Sequence, residues 1–270
     1  MSSFRTIEIS SDVPDGLKFL TVKSAHLKGR GDITLFEPQG DFSEPLPLVI
    51  LLHGVYGSHW AWAFSGNAHK TAANMINSGE IEPMVLVMPS DGLWGDGSSY
   101  TSHNERDFEK WIVEDVVKAA CEASPLVNEQ SPKFISGLSM GGYGALRLGL
   151  RHPQIFTAIS AHSAITCFSE MALFIEEDLN SLHKSWDESE ELDIISEFSK
   201  EGKIHPHLRF DCGLSDQLIE GNRLFHKQLN ELKVAHTYEE FGGAHEWDYW
   251  QNHLPGTLKF FNQFCKIKGK

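Results

Sequence analysis

Ser139 is the residue around which chemistry can be organised in this chain. It lies in the stretch FISGLSMGGYGALRLGL, residues 134–150, between Gly137 and Gly141. An apolar, strand-like run ends just before it and an alanine- and leucine-rich helical segment begins just after. A serine hydroxyl is a weak nucleophile until a base takes its proton. A sharp strand–turn–helix elbow would expose that hydroxyl, and small residues two positions to either side would let the chain turn without collision. With 23 glycines in the chain, G-x-S-x-G alone could be a flexible loop. The strand before it and the helix after it, stopped at Pro153, favour the elbow.

Such an elbow needs an acid and a histidine downstream, in that order. Among 14 histidines, His245 in FGGAHEWDYW stands in a loop after a strand-like run and before a helical one. For the acid, RFDCGLSDQLIEGN offers Asp211 and Asp216. Asp211 falls within a strand and Asp216 in the loop at its carboxyl end. Asp216 is therefore the expected partner of His245, and it could also cap the following helix. HEWDY is not a zinc motif, because Tyr249 stands where a second histidine would be needed. Neither metal nor cofactor is expected.

An oxyanion formed at Ser139 would need two N–H donors. Met140, opening the helix, is one. Val55, in the loop VILLHGVYGSHWAW, is the other. His53 reads as a structural residue of that loop. Aromatic residues crowd the same loops: Tyr56, Trp60, Trp62, Trp94, Trp247 and Trp250. Trp94 is the expected pocket wall, Tyr56 a further contact, and Trp250 a packing residue. His162, ending FTAISAHS, either borders the acyl site or is a satisfied core histidine.

The elements that must position these residues follow from the hydrophobic pattern. LKFLTVKSAHL and GDITLFEP read as two strands turning at residues 28–31. PLVILLHG, MVLVMPSD, KFISGLS and FTAISAHSA are apolar runs suited to parallel strands buried on both faces. HLRFDCG and AHTYEEFGG add two more. DFEKWIVEDVVKAACEA and DQLIEGNRLFHKQLNEL carry helical stripes, Phe108, Trp111, Ile112, Val116, Ala119 and Ala120 in the first. The last helical segment contains Pro255 and is expected to be interrupted there. The alternation predicts an α/β fold, a mostly parallel central sheet with helices on both faces, and reactive groups at the strands' carboxyl ends. Residues 164–204 are acidic and helix-prone, and read equally as a solvated excursion or a cap.

The 270 residues suit a single domain spanning 1–270, with 164–204 as the insertion. With 23 basic and 37 acidic residues the net charge is −14, which disfavours nucleic acid and anionic membranes as partners. The first residues show no secretory pattern and no run is long enough for a membrane span. Four scattered cysteines read as free thiols. A soluble cytoplasmic protein is expected.

LLHGVYGSHWAW, GLSMGGYGAL, CGLSDQLIEGNRLFHKQL and FGGAHEWDYW together resemble the esterase D-like family of α/β-hydrolases, over roughly residues 18–264. That family includes S-formylglutathione hydrolases, tributyrin-type, feruloyl and acetylxylan esterases and mycolyl transferases. The resemblance implies the α/β-hydrolase fold, a Ser139–Asp216–His245 triad, an oxyanion hole of Val55 and Met140, a small-molecule ester substrate and a homo-oligomer. Where S-formylglutathione hydrolases carry leucine–threonine–cysteine after the oxyanion glycine, this chain has Val55-Tyr56-Gly57. The expectation is therefore a carboxylesterase for short-chain or aromatic acyl esters. Thioester hydrolysis or acyl transfer on the same triad, and a silent binding protein on the same fold, are the alternatives.

Overall fold

The structure is a computed structural model that describes residues 4–10, 13–179, 192–198 and 204–265. Its centre is a nine-stranded sheet. The strands are β1 (Phe4–Ser10), β2 (Leu17–Ser24), β3 (Gly29–Phe36), β4 (Leu48–Leu52), β5 (Val85–Pro89), β8 (Lys133–Leu138), β9 (Phe156–His162), β10 (His207–Gly213) and β11 (Thr237–Phe241). A separate two-stranded ribbon pairs β6 (Ser102–His103) with β7 (Arg106–Asp107). The sheet order is β1-β2-β3-β5-β4-β8-β9-β10-β11. From β5 to β11 every pairing is parallel, and β1 to β3 join antiparallel at one edge.

The apolar runs are buried on both faces, as parallel strands require. In β4, Leu48, Ile50 and Leu52 enter one core cluster while Val49 and Leu51 enter the other. That two-residue alternation puts one hydrophobic layer on each side of the sheet. The six-residue stripe from Phe108 to Ala120 is fully buried, as its spacing predicts. The helix there is not uniform: it is α-helical over Phe108–Lys110, π-helical over Trp111–Val116 and α-helical again over Val117–Ala123.

Two expectations are corrected. The first turn falls at residues 25–28, with Ser24 paired to Gly29, rather than at 28–31. Lys28 takes the left-handed conformation (φ 50°). Gly31 lies within β3, paired with Val22, where a Cβ would meet the Trp111 ring at 2.5 Å. The last helix runs unbroken through Pro255, over Trp247–Asn262. Its lost hydrogen bond is offset by packing, since Leu254, Leu258 and Phe261 are all fully buried. β1 carries no apolar signal strong enough to predict it.

Residues 180–191 and 199–203 of the 164–204 segment lie outside the described residues. The rest includes a 3-10 turn, Phe168–Leu173, and a short helix, Ile194–Phe198. Met171, Ile194 and Phe198 are buried, and the Tyr143 hydroxyl donates to the Leu192 carbonyl at 2.8 Å. This part of the excursion is packed onto the helix Met140–Arg151. The four cysteines are free thiols. Among the described residues no helix is long and apolar enough to cross a membrane.

Candidate active site

Ser139 sits at φ 55°, ψ −121° between β8 and the helix Met140–Arg151. A β-carbon residue is strained there, and such strain concentrates at functional sites. The neighbouring glycines are required by space. A Cβ on Gly137 would run into the Gly141 carbonyl, and one on Gly141 into the carbonyls of Leu52 and His53. Gly54 leaves room beside the serine, since its Cβ would lie 3.3 Å from Ser139 Cβ. The turn is pinned by two backbone bonds: Ser139 N–H to the His162 carbonyl at 3.0 Å, and Ile165 N–H to the Ser139 carbonyl at 3.2 Å.

His245 Nε2 lies 2.9 Å from Ser139 Oγ. His245 Nδ1 lies 2.9 Å and 3.1 Å from the two carboxylate oxygens of Asp216. A carboxylate only accepts, so the ring proton sits on Nδ1 and Nε2 is left to accept from the serine hydroxyl. Burial alone would raise the Asp216 carboxyl, but the His245 ring and the Leu218 N–H outweigh it and hold it below the usual carboxylate range. Asp216 Oδ1 accepts that Leu218 N–H at 2.9 Å, just before the helix Ile219–Glu231, so the same carboxylate also serves the helix entry.

The Asp216 and His245 loops are lashed together through their backbones. Ser215 N–H donates to the Gly243 carbonyl at 2.9 Å, and Leu214 N–H to the Phe241 carbonyl at 2.8 Å. Gly243 adopts φ 135°, and a Cβ there would meet the Tyr249 ring at 2.6 Å.

Met140 is the first residue of its helix, so its N–H belongs to the turn that has no intrahelical acceptor. The Val55 N–H has no hydrogen-bond partner among the described residues. His53 is structural: it is 2% exposed, its Nδ1 donates to the Gly54 carbonyl at 2.6 Å and its Nε2 accepts the Asp91 N–H at 3.0 Å. Among the described residues no cluster of histidine, cysteine, aspartate and glutamate could hold a metal ion.

Residues 24–261 match the family model described as "Putative esterase". The chain belongs to the Esterase family. It is an enzyme that acts on carboxylic ester bonds. An acetyl esterase of Caldicellulosiruptor saccharolyticus is 26% identical over 239 residues, 82% of this chain and 85% of that protein. The fold matches that of a ferulic acid esterase with a TM-score of 0.76 at 22% identity, covering 96% of this chain and 98% of the other. An S-formylglutathione hydrolase of Staphylococcus aureus gives 0.76 at 19% identity, covering 95% and 99%. The architecture is the α/β-hydrolase fold.

In this esterase a pocket of ≈ 270 Å³ opens onto Ser139 and His245. Tyr56, Trp60, Phe174, Trp247 and Trp250 form its aromatic wall. The Phe174 and Trp250 rings flank His245, with centroids 4.8 Å and 5.0 Å from it. A larger hollow of ≈ 850 Å³ lies at the opposite, amino-terminal ends of β8 to β10, lined by Lys133 and His207, and contains none of these residues.

Two expected pocket residues are not in this lining. Trp94 instead packs edge-on against His103, at 4.6 Å, over the core. The His162 side chain is fully buried below the site. Its Nδ1 donates to Asp211 at 3.0 Å and its Nε2 accepts from Thr257 Oγ1 at 2.9 Å. Asp211 also takes bonds from Arg209 and from the Tyr249 hydroxyl. Burial would raise its carboxyl, yet His162, Arg209 and Tyr249 together bring it down to about 2. His162 is thus the satisfied core histidine.

Sequence reasoning missed Phe174, which carries no motif and reaches the site from a distant turn. It also placed Trp250 in the core alone. Its ring is 6% exposed, yet it lines the pocket. Beyond Trp94, the loop after β5 had no assigned role. Its Tyr100 hydroxyl donates to the His53 carbonyl at 2.9 Å and holds the start of the Val55 loop.

Proposed function

We propose that the chain is a serine carboxylesterase for short-chain or aromatic acyl esters. The observation that carries the reading is the linear relay Ser139 Oγ, His245 Nε2, His245 Nδ1 and Asp216, with both steps at 2.9 Å. His245 takes the hydroxyl proton as Ser139 attacks the ester carbonyl. Asp216 fixes the ring tautomer and stabilises the imidazolium. The N–H groups of Val55 and Met140 bind the oxyanion, each worth about 10²–10³ in rate. The alcohol leaves with the proton from His245. Water then attacks the acyl-enzyme by the same route and regenerates the serine.

The pocket supports this substrate class. It is small and aromatic, and its lining holds no aspartate, glutamate, lysine or arginine. An uncharged ester is favoured over one bearing a charge at the acyl end, which would be desolvated without a partner. The test is hydrolysis of p-nitrophenyl acetate and of a ferulate ester by wild type and Ser139→Ala. Turnover by wild type alone is expected; equal turnover by both would refute the reading.

A further inference from the structure

One wall of the pocket is held differently from the others. Trp247 and Trp250 stand on the helix Trp247–Asn262, and Leu138 ends a central strand. Phe174 instead lies in the irregular chain after the Phe168–Leu173 turn. Its own N–H and that of Ile175 bond locally to the Met171 carbonyl.

That chain is fastened across the pocket mouth by three hydrogen bonds. The Tyr56 hydroxyl donates to the Phe174 carbonyl at 3.0 Å. The Glu176 N–H donates to Asp96 Oδ2 at 2.7 Å, and the Asp96 N–H to Glu177 Oε1 at 2.9 Å. Tyr56 and Asp96 are themselves joined, Tyr56 N–H to the Asp96 carbonyl at 2.9 Å. Tyr56 is held at φ 57° and is 63% exposed. Its ring gains little from burial at that exposure, so the reach of its hydroxyl is what the position provides. The clasp therefore joins the loops after β4 and β5 to Phe174, the pocket wall that the 164–204 segment contributes.

We infer that Phe174 is the specificity-determining wall that limits the length of ester the pocket accepts, and that the Tyr56–Asp96–Glu177 clasp fixes its position. This rests on the esterase reading of Ser139. The Phe174 ring lies 4.8 Å from the His245 ring, tilted by 30° to it, so it closes the space beside the reacting atoms. Removing the ring opens that space to further methylenes. Each methylene taken out of water is worth about fourfold in kcat/KM.

The test measures kcat/KM for p-nitrophenyl octanoate relative to acetate, with active enzyme counted by stoichiometric organophosphonate labelling. Phe174→Ala is expected to raise the octanoate-to-acetate ratio by about tenfold or more, as two or more methylenes gain cover. Phe174→Trp should lower it. Tyr56→Phe, which keeps the ring and loses the hydroxyl, should move the ratio in the direction of Phe174→Ala by a smaller factor. A ratio unmoved in both Phe174 variants, with each fully labelled, overturns the inference while leaving the esterase reading intact. A moved ratio in Phe174→Ala with none in Tyr56→Phe overturns the clasp. If wild type neither labels nor turns over either ester, the esterase reading of Ser139 fails first.

Discussion

The backbone of Ser139 is bonded to His162: the serine N–H donates to the His162 carbonyl at 3.0 Å. His162 ends β9 and Ser139 directly follows β8, the adjacent parallel strand, whose last residue Leu138 pairs with His162. His162 in turn is anchored by Asp211, which also receives the Tyr249 hydroxyl four residues beyond His245. One buried carboxylate thus ties down the strand end beneath the serine and the helix that follows the histidine, while a second, Asp216, meets the histidine directly.

These two carboxylates are expected to fail differently. Asp216→Asn should lower kcat by about 10⁴ with KM little changed, because the ring loses its tautomer and imidazolium support. Asp211→Ala leaves His162 and the Tyr249 hydroxyl without their buried acceptor and takes one of two carboxylates from Arg209, which keeps Glu239, and should destabilise the fold by about 3–5 kcal/mol. Urea titration and steady-state kinetics on the same two variants check both statements. A large kcat loss with unchanged stability in Asp211→Ala would reassign the acid.

The elbow glycines should tolerate no side chain. Gly137→Ala and Gly141→Ala each place a methyl group against backbone carbonyls, which move only if the strand or the helix moves. Losses of about 1–3 kcal/mol or more are expected. Gly242→Ala, whose Cβ meets nothing within 4 Å, should stay within about 0.5 kcal/mol of wild type. Thermal melts of the three variants distinguish crowding from a general intolerance of substitution.

Acid should weaken the fold through Glu109. Burial would raise this carboxyl, but His152, Arg147 and Arg151 outweigh it and bring it from 4.5 down to about 2. A folded-state value below the unfolded one means the contribution is complete above the ordinary value and is lost as pH falls toward the folded value. The stability gap between wild type and Glu109→Gln should therefore be widest near neutrality and shrink between about pH 5 and pH 2. Urea midpoints across that range check it. A gap that is constant with pH would mean that the carboxylate's charge contributes nothing.

The parallel strands and the placement of Ser139, Asp216 and His245 at their carboxyl ends were legible because each depends on short-range pattern. Apolar runs mark strands, and glycines mark where the chain must turn tightly or approach other backbone closely. Phe174 was not legible, because its position depends on how a long connection folds back over the sheet. Trp94 misled because a tryptophan in a glycine-rich loop looks exposed, whereas His103 from the β6–β7 ribbon gives it a packing partner. His162 was ambiguous, since a histidine ending a strand can face the site or the core. Asp211 and Thr257, distant in sequence, decide it. Pro255 looked like a helix end because local propensity opposes it, and tertiary packing prevailed.

The most direct measurement is mass-spectrometric mapping of the adduct left by a fluorophosphonate on wild type and His245→Ala. The expected result is a single adduct on Ser139 in wild type, with labelling slowed at least about a hundredfold in the variant as the general base is lost. An adduct on another residue, or equal labelling rates in the two proteins, would contradict the assignment of Ser139 as a nucleophile activated by His245.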